Sequence, residues 1–167
     1  IPAEGIDGWE EKMDKWGYKL HDAVYTVAEM AALGMGLNKD KFTSCLKGGA
    51  HLLAPTGSDL ARNGHGSIFA GFHYDISFLT IMESPDTQAC LCGSEILEII
   101  TKVPDGCLLL QSGITFEHIT GGYVHAGFHE VVCTESTVAG YEKAKEAGKI
   151  TWRVSSTLFS NFRYDVE

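Results

Sequence analysis

No stretch of this chain approaches the roughly 20 consecutive apolar residues that cross a bilayer as a helix. The amino end, Ile-Pro-Ala-Glu-Gly, also lacks the charged start and apolar run of a secretion signal. Basic residues are scarce, 13 Lys and Arg against 22 Asp and Glu, which leaves a formal net charge of -9. Such a surface repels phosphate backbones and anionic lipid, so neither nucleic acid nor a membrane is an expected partner. A second cysteine pair to match Cys90-Leu-Cys92 is missing too, and structural zinc is therefore not expected. The five cysteines, Cys45, Cys90, Cys92, Cys107 and Cys133, are odd in number in a chain large enough to fold without disulfides. Reduced thiols and a cytoplasmic location are the expectation. The chain opens on Ile1 rather than methionine, as a processed product or the C-terminal part of a longer protein would. No internal repeat, low-complexity segment or linker interrupts it, and 167 residues suffice for one domain with a sizeable core.

What is present divides at about residue 49. Between Asp7 and Leu37, Trp9, Met13, Trp16, Leu20, Val24, Val27 and Ala31 recur at helical spacing, with charged residues on the other faces. This predicts a long amphipathic helix, with Asp7 as N-cap, Glu10 and Glu11 in the first turn, and Gly34 and Gly36 at the end. Asn38 is expected to cap a shorter helix running to about Leu46. Beyond Gly49 come short runs rich in β-branched and aromatic residues. Strands are predicted at 51–54, 67–73, 78–83, 88–92, 95–102, 107–111, 123–126, 128–134 and 150–161. Gly93-Ser94 is read as a hairpin turn, Pro104-Asp105-Gly106 as a second turn, and 136–147 as one further helix. The expected organisation is a helical support region, 1–49, and a β core, 50–167, of sandwich or jelly-roll type.

Five residues carry the chemistry. Side chains two apart on a strand face the same way, so His73 and Asp75 in Phe-His-Tyr-Asp can both point inward while Tyr74 points out. His129, in Phe-His-Glu-Val, is placed inward with Val131 and Cys133 by the same alternation. Two imidazoles and a carboxylate suit a mononuclear non-haem Fe(II) centre with positions left open for oxygen and substrate. Arg153 and Ser155 share a strand face, where a guanidinium fork and a hydroxyl offer directed hydrogen bonds to an organic acid. His51, His65, His118 and His125 are expected on the surface or in ordinary hydrogen bonds, and Cys133 is read as a small core residue.

In this order, His-x-Asp, a distal His and Arg-x-Ser, the chain resembles the isopenicillin N synthase-like branch of the 2-oxoglutarate and Fe(II)-dependent oxygenases. Flanking segments carry the likeness further. Residues 32–37, Ala-Leu-Gly-Met-Gly-Leu, are similar to the family's Gly-Leu-Gly-Leu helix end, and Phe78-Leu79-Thr80-Ile81 to the strand after its His-x-Asp. The run from Pro104 to Gly113 is similar to its Pro-x-x-Gly, apolar strand and Gly, and Ile119 to Tyr123 to its Thr-Asn-Gly turn. Departures accompany these matches. Glu130 follows the distal histidine where the family usually has arginine, and Glu98 to Val103 replaces its Trp-x-Pro-Val. The segment from His51 to Pro55 lacks a tyrosine that can help hold the family's cosubstrate. Members are typically longer, with an N-terminal region that helps form the substrate pocket.

The resemblance implies a mainly β fold, a double-stranded β-helix (a cupin-like jelly roll) packed against the long N-terminal helix. It further implies Fe(II) on His73, Asp75 and His129, with 2-oxoglutarate chelating the metal and its far carboxylate held by Arg153 and Ser155. O2 would then be used to oxidise a small organic molecule. Two alternatives stand beside this expectation: an oxidase of the same branch that does not use 2-oxoglutarate, and a catalytically inactive or truncated cupin-like binding domain.

Overall fold

The computed structural model describes residues 5–83, 90–94, 97–101, 103–104 and 106–165, with 90–94 and 97–101 described as backbone. Helix α1 (Trp9–Gly34) buries Leu20, Val24, Ala28 and Ala32, a stripe at strict four-residue spacing, with Trp16, Val27 and Ala31 at its margins. Asp7 is not its N-cap. The cap is Gly8, whose positive φ of 67° turns the chain into the helix, while Glu10 and Glu11 lie in the first turn as expected. At the other end Gly36 has φ 72°, its N–H bonds to Leu33 O, and that of Leu37 bonds to Ala32 O. These are the paired bonds of a Schellman motif. Helix α2 is only Thr43–Leu46, and Asn38 caps nothing: it opens a turn through Lys41 N–H to its carbonyl.

Among the described residues, eight strands form two antiparallel sheets. The first has the order β1 (Leu52–Asp59), β8 (Trp152–Ser160), β3 (Leu79–Glu83), β6 (Leu108–Ser112). The second has the order β2 (Ile68–Tyr74), β7 (Phe128–Val132), β4 (Cys90–Ser94), β5 (Leu97–Thr101). This is the expected jelly roll. Helix α1 covers the outer face of the first sheet, on Leu79, Ile81 and Leu158, and Phe42, Leu46, Phe78 and Phe116 close one end of that core.

Three differences from the expected strands and turns stand out. Strand β1 runs past Pro55 and Gly57 to Asp59, because it is an edge strand and an edge tolerates a missing N–H. Gly93 and Ser94 are not a turn but pair with Glu98 and Leu97 at the end of β4, and the connecting residues 95–96 lie outside the described residues. The predicted starts of β4 and β5, at 88 and 95, lie outside them too. No strand forms over 123–126. There Val124 N–H bonds to Thr120 Oγ1 and Ala126 N–H to Glu117 Oε2, both side chains of an unpredicted helix, α3 (Ile114–Ile119), and its C-cap. Helix α3 starts against the segment that follows β2, with Ile114 N–H on Asp75 O and Gly113 N–H on Phe78 O. Helix α4 (Glu135–Glu146) lies where predicted, entered through a Thr134–Thr137 capping box.

His51 ties the helices to the last strand. Its Nε2–H donates to Leu46 O at 3.0 Å, Nδ1 accepts from Asn161 N–H at 3.2 Å, and its ring packs edge-on to His21 of α1, with centroids 4.6 Å apart. Burial holds the pKa of His51 below the ordinary 6.5, reinforced by His21 and opposed by the Leu46 carbonyl. Burial lowers His21 too, against the pull of Asp22. The unfolded chain therefore takes up protons at these sites at a higher pH than the native protein, so stability rises with pH. Unfolding midpoints are expected to fall as pH is lowered from about 6.5. His51→Gln should flatten that fall in denaturant titrations across the same range.

Candidate metal centre

Antiparallel register brings the distant histidines together: His73 of β2 stands directly opposite His129 of β7, just beyond a register shift between Ala70 and His73. Their ring centroids are 4.3 Å apart. Asp75 lies one residue past the end of β2, and its Oδ1 is 3.5 Å from His73 Nε2. One ligand atom from each of the three lies within 4.8 Å of the others. Each histidine is turned by the carbonyl two residues before it. His73 Nδ1 bonds to Gly71 O at 2.6 Å and His129 Nδ1 to Gly127 O at 3.1 Å. A carbonyl only accepts, so the proton sits on Nδ1 and Nε2 keeps its lone pair for a metal.

The carboxylate fits a cation as well. Asp75 is 6% exposed, and its Oδ2 is buried with no hydrogen-bond partner. A buried unpaired carboxylate oxygen is costly, and a divalent ion at this point would relieve it. Two imidazole nitrogens and one carboxylate form the donor set that suits Fe(II), with coordination positions left over.

The three residues line a cavity of about 250 Å³ between the sheets. On its other side β8 presents Arg153 and Ser155, 6% and 5% exposed, while their neighbours Trp152 and Val154 face out at 54% and 52%. The period-two placement is thus the observed one. The Arg153 guanidinium lies 5.8 Å from the Phe69 ring centroid, and Phe69, Met82 and Phe159 give the cavity apolar walls. Sequence reasoning missed Thr56 and Ser58, which β1 sets opposite Ser155 and Arg153. Their inward placement was hidden because Pro55 and Gly57 read as the end of the strand. Cys133 is buried but outside the cavity lining, its thiol against Asn63 O and raised in pKa by burial. His65, His118 and His125 are exposed. Larger clefts, of about 830 Å³ beyond the end of α1 and 870 Å³ beside α4, hold no such ligand cluster among the described residues.

No family model and no curated protein matches this chain. Solved structures do. A Neurospora crassa protein in complex with alpha-KG and thymine superposes with a TM-score of 0.81 at 17% identity, over 99% of this chain and 50% of that one. A 2OG-Fe(II) oxygenase family protein from Caulobacter crescentus gives 0.81 at 18%, again over 99% and 50%. The 2-oxoglutarate binary complex of the dioxygenase for auxin oxidation 1 of Arabidopsis thaliana gives 0.75 at 18%, over 98% and 56%. The fold is that of the 2OG-Fe(II) oxygenases. This chain spans about half the length of these proteins. Among the described residues no helix is long and apolar enough to cross a membrane.

Proposed function

We propose that this chain carries the catalytic core of an Fe(II)- and 2-oxoglutarate-dependent dioxygenase of the isopenicillin N synthase-like branch, acting on a small organic molecule. One observation carries the reading: a His-Asp-His cluster shares one cavity with an Arg-Ser pair on this oxygenase fold. In it, His73, Asp75 and His129 hold Fe(II), and Arg153 with Ser155 holds the far carboxylate of 2-oxoglutarate. The metal supplies the activation of O2 that couples decarboxylation of 2-oxoglutarate to oxidation of a substrate C–H bond.

The chain's own part is positioning and shielding. The Gly71 and Gly127 carbonyls fix the imidazole tautomers, and Asp75 contributes negative charge that offsets the ion. Arg153, itself buried, gives a carboxylate two parallel charge-assisted N–H bonds. Phe69, Met82 and Phe159 keep the acid's methylene chain out of solvent. The helical segment, 1–49, serves as a support for the β core, 50–167. A cytosolic setting agrees with the free thiols of Cys45, Cys107 and Cys133. Small-molecule rather than nucleic-acid or membrane partners agree with the net charge of -9.

The test is oxygen consumption by the purified chain with Fe(II), with and without 2-oxoglutarate, with succinate measured in parallel. Uptake that depends on 2-oxoglutarate and yields succinate is expected, since uncoupled turnover needs no knowledge of the prime substrate. Oxygen uptake indifferent to 2-oxoglutarate would favour an oxidase in its place. Binding of the acid without uptake would favour a module that does not turn over.

A further inference from the structure

The inner face of β1 brings hydroxyls to the acid-binding end of the cavity. Thr56 stands opposite Ser155 in the antiparallel register, both line the cavity, and Thr56 Oγ1 lies 2.9 Å from Ser155 Oγ. At that distance one hydroxyl donates to the other, and nothing in the pair itself sets the direction. A carboxylate sets it. It only accepts, so a bound acid draws the Ser155 proton toward itself and leaves a Ser155 lone pair facing Thr56. Thr56 can then donate its own proton into that lone pair, which polarises the Ser155 O–H and strengthens its bond to the acid. Threonine suits the task because its β-branched side chain is stiff about χ1 and holds its hydroxyl in place.

We infer that Thr56 is a positioning residue for the diacid cosubstrate, acting through Ser155. It would add to the preference that Arg153 and Ser155 give the site for an acid that carries a distal carboxylate. The inference rests on the cosubstrate reading above. It adds a residue of the edge strand β1, directly opposite Ser155 in the register.

Calorimetric titration of the Fe(II)-loaded chain under nitrogen tests it, with two ligands: 2-oxoglutarate, and 2-oxopentanoate, which keeps the keto-acid end but lacks the distal carboxylate. Thr56→Val, which removes the hydroxyl and keeps the shape, is expected to weaken 2-oxoglutarate about fivefold, the effect of one hydrogen bond, and to leave 2-oxopentanoate unchanged. Thr56→Ser should restore most of the loss. On a Ser155→Ala background, Thr56→Val should add nothing further. Unchanged 2-oxoglutarate affinity in Thr56→Val overturns the inference. So does an equal loss for both ligands, which would mark a merely structural role, or a full additional loss on the Ser155→Ala background. A wild-type chain that does not prefer 2-oxoglutarate to 2-oxopentanoate overturns the cosubstrate reading itself, before any variant is made.

Discussion

Asp75→Asn is expected to lower Fe(II) affinity at least about 100-fold and to abolish succinate formation, while leaving the metal-free protein as stable as the wild type or more so. The two halves of this result have one origin. Without a bound ion the Asp75 side chain is buried with Oδ2 unpartnered, a burial that stands against folding by about 1–3 kcal/mol. An amide of the same shape removes the charge that must be desolvated, but also the charge that offsets a divalent ion. Thermal unfolding with and without Fe(II) reads both effects. Fe(II) at about 100 times the wild-type Kd should add about 2.7 kcal/mol to the wild type and no more than about 0.4 kcal/mol to the variant. A variant that melts well below wild type in the absence of metal, or that is stabilised by Fe(II) to the same extent, would mean that Asp75 is a structural carboxylate. His73→Ala is expected to lose iron and succinate formation in the same way, since its Nε2 is one of the three clustered donors.

The second large effect belongs to Arg153. Arg153→Leu is expected to weaken 2-oxoglutarate binding by about 100-fold or more, in the range set by removing one partner of a desolvated, hydrogen-bonded charge pair. Iron affinity should stay near wild type, because Arg153 comes from β8 of the first sheet while His73 and His129 come from the second. Arg153→Lys should recover only part of the loss: an ammonium keeps the charge but not the planar fork, and cannot lie against the Phe69 ring as the guanidinium does. Anaerobic titration of the Fe(II)-loaded variants gives these affinities directly, and circular dichroism checks that the fold survives. Equal binding of 2-oxoglutarate by Arg153→Leu and wild type would remove the arginine from the cosubstrate site.

The distribution of these effects follows what a linear sequence can and cannot carry. Period-two alternation is local, so it placed Arg153 with Ser155 correctly, and His73 with Asp75 on a common side even though β2 ends between them. The four-residue stripe of α1 was equally legible. Register across strands is not local. That His73 faces His129 depends on the shift between Ala70 and His73, which no pattern in either segment announces. The same limit hid Thr56. Pro55 and Gly57 are strand breakers in the interior of a sheet and harmless at its edge, and only the strand order reveals that β1 is an edge. Helix α3 is too short to show a period, and its side chains take the N–H groups of 124 and 126 that a strand would have used. Residues 123–126 consequently looked like a strand and are a loop.

In the proposed site one cavity holds Fe(II) and the acid together, the metal on one sheet and the distal carboxylate on the other. A crystal structure of the chain grown anaerobically with Fe(II) and 2-oxoglutarate, with anomalous differences collected at the iron edge, tests this most directly. The expected result is a single strong anomalous peak bonded to His73 Nε2, His129 Nε2 and Asp75, with the keto-acid end of 2-oxoglutarate on the metal and its far carboxylate against Arg153 and Ser155. An anomalous peak elsewhere, or an acid bound away from Arg153, would contradict it.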